Sequence, residues 1–261
     1  MFGLFGKKSP EELKNQTFTT EDGDHYIGEL DVDQPDGFGT FTWADGHIYK
    51  GQWKWGKFNG KGKMTFPDGS IYVGSFKTGK FHGKGTLTQS DGTTFIGGFV
   101  KDYLDGEGVI IYPDSSRYEG NFKKDKREGH GSLHGKEEGC YVVYKGGYKD
   151  NLENGQGYML VTNEETGEWV KYFGEYKDGL PHGTGAEFHS DGEQRLGVWA
   201  HGEYIGEWGT VLPKKVQRKA RKQKKKIQPI ATSQSAPIDD GKIKDFQQYK
   251  TLISSIFDQQ A

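Results

Sequence analysis

The sequence is poor in the aliphatic side chains that fill most globular cores. Only 32% of its 261 residues are hydrophobic, although 14% are aromatic. So small a hydrophobic content argues against a thick, closed core, while the many aromatic residues argue against a wholly disordered chain. No run of 18 apolar residues occurs, so we expect no membrane-spanning helix.

Cysteine is almost absent as well. Cys140 is the only one, so an internal disulfide is excluded and a reducing compartment is favoured. The apolar start of the chain, residues 1–8, is too short for a secretory signal and has its charges after its apolar part. We therefore expect a cytoplasmic protein.

Glycine, in contrast, occurs 41 times without the every-third spacing of collagen. It recurs in units of 23 residues, each with an aromatic start, glycine two residues later, an apolar residue two further on, and a Gly-x-Gly pair. Acidic turns such as Asp68-Gly69 close most units. The five regular units start at Tyr26, Tyr49, Tyr72, Phe95 and Tyr118; a sixth and a seventh start at Tyr144 and Tyr172, and a degenerate eighth at Leu196.

The segments Tyr49–Gly62 and Tyr72–Gly85 carry the pattern Tyr-x-Gly-x-Trp/Phe-x-x-Gly-x-x-x-Gly-x-Gly. This pattern resembles that of the MORN (membrane occupation and recognition nexus) repeat family, and the resemblance covers residues 26–209. It implies an all-β fold, an elongated single-layer antiparallel sheet of tandem β-hairpins. It also implies partner docking and dimerisation as recurrent uses, and its name implies membrane association.

The alternation within one unit explains how such a sheet holds together. Tyr72, Gly74 and Phe76 are two residues apart and share one face of a strand. We expect the rings to lie over bare glycine backbone, which offsets the weakness of glycine within strands. The opposite face is mainly polar. A thin sheet of this kind has a groove and no interior for a catalytic pocket.

We predict that this aromatic groove binds a protein or peptide partner. The residues expected to line it are Tyr49, Trp53, Tyr72, Phe76, Phe95, Phe99, Tyr118 and Phe122.

The chain divides into four predicted parts: an N-terminal extension (1–24), the repeat array (25–209), a basic run with a linker (210–241) and a C-terminal amphipathic helix (242–258). The extension and the tail are both candidates to cap the ends of the array. One face of the predicted helix is apolar, with residues three or four apart. That face contains Ile243, Phe246, Tyr249, Ile253 and Ile256.

This helix has three candidate roles. It can pack back on the aromatic face of its own sheet, dock a partner or a second copy, or lie on a membrane surface.

The basic run places nine cations within residues 214–226, against a net charge of −2 for the whole chain. It is a solvated linker or the end of a charged helix, an attractor for anionic lipid head groups, or a nucleic-acid contact; basic runs also arise as targeting signals. Lipid ranks above nucleic acid for two reasons. Phe2, Leu4 and Phe5 would add apolar side chains for a membrane contact, and no aromatic residue interrupts the run to stack on bases. The cations are Lys214, Lys215, Arg218, Lys219, Arg221, Lys222, Lys224, Lys225 and Lys226.

No residue pattern indicates catalysis, a metal or a cofactor. His130 and His134 lie on a predicted strand, about 13 Å apart, too far to share one zinc ion. His82 and His182 occupy the same repeat position, which favours a structural role, and Cys140 fits a small buried side chain. We therefore predict a non-catalytic scaffold. The alternative is a peripheral membrane protein that binds anionic phospholipids through the basic tail.

Overall fold

The computed structural model describes residues 16–207. They form two compact units, divided between Pro113 and Asp114, and both are built from strands. Unit 1 contains β1 (Gln16–Thr19), β2 (His25–Asp31), β3 (Gln34–Thr42), β4 (Ile48–Lys54), β5 (Lys57–Thr65), β6 (Ile71–Lys77), β7 (Lys80–Thr88), β8 (Thr94–Val100) and β9 (Tyr103–Ile111). Unit 2 contains β10 (Arg117–Lys123), β11 (Lys126–Glu137), β12 (Cys140–Lys149), β13 (Leu152–Asn163), β14 (Trp169–Lys177), β15 (Leu180–His189), β16 (Gln194–Ala200) and β17 (Glu203–Glu207).

Within each unit, every strand pairs antiparallel with the next one along the chain. Each unit is therefore an antiparallel sheet of successive hairpins, and the predicted all-β fold is confirmed. Strand β1 covers the free edge of β2, so part of the predicted N-terminal extension protects the first hairpin. The predicted C-terminal helix, residues 242–258, lies outside the described residues.

The hairpins are closed by two-residue tips in which both residues have positive φ. Thr78 and Gly79 have φ of 52° and 81°, as a type I′ turn requires. At two later tips the second residue is Asp102 or Asn151, with φ of 77° and 73°. Asp and Asn tolerate this left-handed conformation better than other side chains, so the tip does not depend on glycine alone.

The tyrosine that begins a repeat lies flat over two glycines, as predicted. A Cβ atom placed on Gly85 would lie 2.6 Å from the Cε2 and Cζ atoms of Tyr72, which is closer than real Cβ contacts. The Tyr72 hydroxyl donates a hydrogen bond to the carbonyl of Ser75, at 3.0 Å, where the strand register shifts. Five other tyrosines donate to the carbonyl three residues ahead: Tyr26, Tyr49, Tyr118, Tyr144 and Tyr172. In these repeats the tyrosine ring therefore packs as it does only because the two positions beneath it are glycine.

In unit 1 a second ring closes over the tyrosine. Phe81 stacks on Tyr72 with 3.7 Å between ring centroids and 7° between ring planes. The edges of Phe76 and Phe99 meet the same tyrosine at 5.1 and 5.2 Å. Such stacked and edge-on contacts are the favoured arrangements of aromatic rings. Tyr72 is thus sandwiched between glycine backbone and a phenylalanine, and its side chain is buried within the sheet's own hairpins.

The acidic turns between repeats are held by their aspartates. The Asp68 carboxylate accepts hydrogen bonds from the Ser70 amide and hydroxyl, both at 2.9 Å. The Ser70 hydroxyl oxygen also accepts a bond from the Ser90 amide at 3.1 Å, which connects one turn to the next. These bonds replace backbone partners that a turn leaves unpaired, and so they favour the predicted turn.

Candidate functional site

The eight aromatic residues predicted to line a groove are buried. Their exposed fractions are 0% for Tyr49, Tyr72 and Tyr118 and at most 6% for the other five, namely Trp53, Phe76, Phe95, Phe99 and Phe122. The expectation that these eight rings form an exposed row is therefore wrong. The physical reason is packing of the rings on glycine backbone and on each other, which leaves little of them accessible. Their role in contacting a partner stays a prediction.

Two repeats of unit 2 have a charged side chain in place of the covering ring. The positions that match Phe81 hold Arg127 and Glu153 in these repeats, and Pro181 and Tyr204 in the next two. The Arg127 guanidinium lies 5.4 Å from the ring of Tyr118 and 5.2 Å from that of Tyr148. Cations over tyrosine faces are stabilised by the ring electrons.

Burial raises the pKa of two tyrosine hydroxyls on the same face of unit 2. Desolvation, reinforced by the Glu153 carboxylate, raises the pKa of Tyr148 well above its ordinary value. Tyr176 is raised in the same direction by its burial. Both hydroxyls are buried without a hydrogen-bond partner in the described part of the chain. Burial in this face of unit 2 therefore favours the neutral form of both hydroxyls.

The face of unit 1 opposite the tyrosines carries most of its positive charge. Strands β4–β7 contain eight lysines and neither aspartate nor glutamate. Strand alternation and pairing place all eight on the face opposite Tyr49 and Tyr72. We name this surface the lysine face; it consists of Lys50, Lys54, Lys57, Lys61, Lys63, Lys77, Lys80 and Lys84.

Several of these lysines face each other directly across neighbouring strands. Lys50 is opposite Lys63, and Lys54 is opposite Lys57. Like charges opposite each other destabilise a sheet. One member of the lysine face, Lys80, is paired with Asp102 at 2.9 Å. The arrangement is electrostatically unfavourable by itself and suits an anionic partner.

On unit 2 the corresponding face carries aromatic rings together with Lys145, opposite Tyr158, and Lys171, whose Nζ lies 4.0 Å over the Trp169 ring. Tyr158 and Phe173 are cross-strand neighbours with ring centroids 4.7 Å apart, and Phe188 lies 6.2 Å from Phe173. Phe173 is 47% exposed, in contrast to the buried tyrosines. We name this surface the aromatic patch; it consists of Tyr141, Tyr158, Trp169, Phe173, Phe188 and Leu196.

Sequence reasoning missed both surfaces on this face. The available signal was the residue that directly follows the first aromatic residue of each repeat, because strand alternation places it on the opposite face. That position holds Lys50 and Val73 in unit 1, and Glu119, Lys145 and Phe173 in unit 2, so only its last member indicates the patch.

The histidines do not converge on a metal site. No cluster of three or more His, Cys, Asp or Glu suited to a metal ion is found among residues 16–207. His134 Nε2 lies 2.9 Å from the Ser132 hydroxyl, and the rings of His182 and His201 are 5.3 Å apart. Cys140 is 3% exposed, and burial raises the pKa of its thiol, as suits a packed side chain.

The tail predictions fall outside the described residues. These are the basic run with its nine cations, the apolar face of the predicted helix and the N-terminal residues Phe2, Leu4 and Phe5. Within the described part, no helix is long and apolar enough to cross a membrane.

Tandem hairpins, six of them sealed by a tyrosine over paired glycines, define a β-repeat scaffold protein. The MORN repeat family matches residues 26–48, 49–71, 72–94, 95–117, 118–137, 144–160 and 172–194. These seven matches cover more than half of the chain, and the chain belongs to the MORN repeat family. A comparison with curated proteins finds no match.

The boundaries of the seven matches agree with the repeats identified from the spacing of their aromatic residues and glycines. The first five matches begin at the aromatic residues that start the units, from Tyr26 to Tyr118. The sixth and seventh begin at Tyr144 and Tyr172, after the longer closing loops. The predicted repeat family is therefore confirmed over seven units, while the degenerate eighth, from Leu196, lies beyond the last match.

Proposed function

We propose that this chain is a non-catalytic MORN scaffold that binds a protein or peptide partner through the aromatic patch of unit 2. The observation that supports the proposal is the exposure of Phe173, 47%, beside Tyr158 and Phe188 on one face of the sheet. Exposed aromatic groups that are contiguous are typical of protein interfaces.

The patch is a better contact surface than the groove first expected. Tyr49 and Tyr72 have 0% of their surface exposed, so a partner would meet only the atoms that cover them. The tyrosine face instead stiffens each hairpin. Rigid support lowers the entropy that a surface loses on binding, so the buried rings still contribute to affinity.

Affinity purification with paired variants tests this function. Phe173→Asp places a charge in the centre of the patch, and Val73→Asp makes the same kind of change at an exposed position of unit 1, where Val73 is 53% exposed. We expect a partner that is captured by the wild type and by Val73→Asp but lost with Phe173→Asp. Equal capture by all three proteins would contradict binding through the patch.

A second function, attachment to an anionic membrane, is favoured by the lysine face. Eight lysines and no carboxylate on β4–β7 suit a surface of acidic head groups, where each basic residue contributes about 1 kcal/mol. Trp55, 67% exposed at the tip between β4 and β5, suits the interface between head groups and water. The nine cations of the basic tail would add to this attraction.

Pelleting with phosphatidylserine-containing vesicles separates the two basic regions. One full-length variant replaces Lys50, Lys63 and Lys84 by glutamine, and a control replaces three exposed tip lysines of unit 2 in the same way, Lys123, Lys149 and Lys177. A third replaces the nine tail cations. Lysine-face binding predicts loss with the first variant and retention with the control. Loss with the tail variant alone would assign the membrane contact to the tail.

A further inference from the structure

We propose that the aromatic patch of unit 2 is covered by the chain's own residues 242–257, which are predicted to form an amphipathic helix. The proposal rests on the proposed function, because it names the first occupant of the surface assigned there. It also gives that surface a regulation: a partner must displace the tail before it can bind.

The point at which the chain leaves unit 2 supports this occupant. Strand β17 ends at Glu207 and pairs with β16, and β16 carries Leu196 of the patch. Residues 208–241 connect Glu207 to the apolar segment. A random coil of that length would have a root-mean-square span of about 30 Å. The patch crosses strands β12–β16, or about 20 Å at the usual strand spacing.

A coil of that span would bring the segment to every part of the patch. A tether that behaves in this way would hold a ligand at an effective concentration up to the millimolar range. An external partner must exceed that concentration or bind more tightly, so the tail is the first competitor for the patch.

Size and polarity also match. Residues 242–257 form a helix of about 24 Å if fully helical, close to the width of the patch. The apolar residues of the segment are three or four positions apart in the sequence, as one side of a helix requires, and the patch presents aromatic rings on neighbouring strands. An amphipathic helix lying on an exposed apolar surface is a recurrent mode of peptide recognition.

Charge favours the same placement. The turns beside the patch, residues 164–168 and 190–193, contain Glu164, Glu165, Glu168, Asp191 and Glu193 and no basic residue. Glu164 is paired with Lys136 and Glu193 with Arg195, so the attraction rests mainly on the other three carboxylates. Trp169 of the patch directly follows the first of these turns. The basic run, residues 214–226, lies in the sequence between β17 and the apolar segment. It can therefore run along the acidic turns while the apolar segment lies on the rings.

Distance measurement between two spin labels tests the proposal in the full-length chain. In a Cys140→Ala background, one label is placed at Lys145→Cys, which is paired with Tyr158 across the strands, and the other at Gln248→Cys. Docking predicts one narrow distance, shorter than the roughly 30 Å span of the free linker. Phe173→Asp should abolish the narrow distance, and Val73→Asp, on unit 1, should leave it unchanged.

Three results would overturn the proposal. The first is a broad distribution in the wild type. The second is a narrow distance that survives Phe173→Asp, which would place the segment elsewhere, such as the tyrosine face. The third is a narrow distance that arises only between differently labelled copies, which would make the occupant a second chain.

A final variant separates this proposal from the proposed function. Phe246→Ser with Ile253→Ser should release the tail and leave the patch open. A synthetic peptide of residues 240–259 should then bind in trans, and Phe173→Asp should remove that binding. An undocked tail together with Phe173-dependent partner capture contradicts the inference alone. A docked tail without any Phe173-dependent partner contradicts the proposed function alone.

Discussion

Replacement of Gly85 by alanine directly perturbs the packing of a tyrosine ring on bare backbone. The added Cβ would lie 2.6 Å from two ring carbons of Tyr72. The ring cannot move away, because Phe81 stacks on its other side at 3.7 Å. Relief of the clash requires the ring to tilt, which breaks the 3.0 Å hydrogen bond from Tyr72 to the Ser75 carbonyl.

The expected loss of stability follows from three contributions. Overpacking a well-filled site costs about 1–3 kcal/mol. The lost buried hydrogen bond costs about 1 kcal/mol more. Alanine regains about 0.5–1 kcal/mol because it loses less backbone freedom than glycine. We therefore expect Gly85→Ala to lower the free energy of unfolding by about 2 kcal/mol.

Urea unfolding, with amide hydrogen exchange on β6 and β7, measures this change. Gly79→Asn is a suitable control, because Gly79 has open space around it and asparagine tolerates its positive φ of 81°. The decisive experiment repeats Gly85→Ala in a Tyr72→Leu background. If the ring causes the cost, most of it disappears there; an undiminished cost refutes the packing argument.

Three further results are expected. Tyr72→Phe should lower the free energy of unfolding by about 1–3 kcal/mol, because the part-buried Ser75 carbonyl loses its donor. Phe95→Tyr, at the repeat position that naturally lacks the hydroxyl, should not be destabilising to that extent in the same urea assay. Lys50→Thr should raise the urea midpoint, since removal of a like-charge cross-strand pair gains about 0.2–1 kcal/mol; a fall would contradict repulsion from Lys63. Burial, then the Glu29 carboxylate, raises the pKa of Tyr26 to about 12, so the native state favours the neutral ring and stability should fall as pH rises from 10 to 12; a smaller fall in Tyr26→Phe checks this.

The two faces of the sheet have different tasks. The tyrosine face provides cohesion within the hairpins, and its residues are interchangeable only where a ring still meets glycine. The opposite face contributes little to that packing, so its residues are free to differ between units. Lysines on β4–β7 and aromatic rings on β12–β16 can therefore change without loss of the fold.

Much of the local structure was predictable. The 23-residue spacing located the units, and the alternation of Tyr72, Gly74 and Phe76 placed the ring over glycine. Asp-Gly pairs identified the turns, because their side chains can replace missing backbone partners. These features depend on contacts within one hairpin or between neighbouring hairpins, and such contacts are encoded in short stretches of sequence.

The exposure of the rings was not predictable from the same pattern. Alternation indicates which face a side chain occupies but not whether another side chain covers it. Phe81 stands nine residues after Tyr72, beyond the two-residue tip, and only the strand register brings it over that ring. Net charge is uninformative for a related reason. A total of −2 for the chain conceals the lysine face, on which all the charges are positive.

The amino-acid sequence by itself determined the class of this protein: a MORN array of antiparallel hairpins, because glycine, tyrosine and turn residues recur at a spacing that only such hairpins satisfy. The tertiary structure decided what the array presents to its surroundings. Strand register buries the tyrosines, groups eight lysines on one face of unit 1, and gathers the rings around Phe173 on unit 2. Periodicity is a property of the chain, whereas accessibility depends on which strands become neighbours.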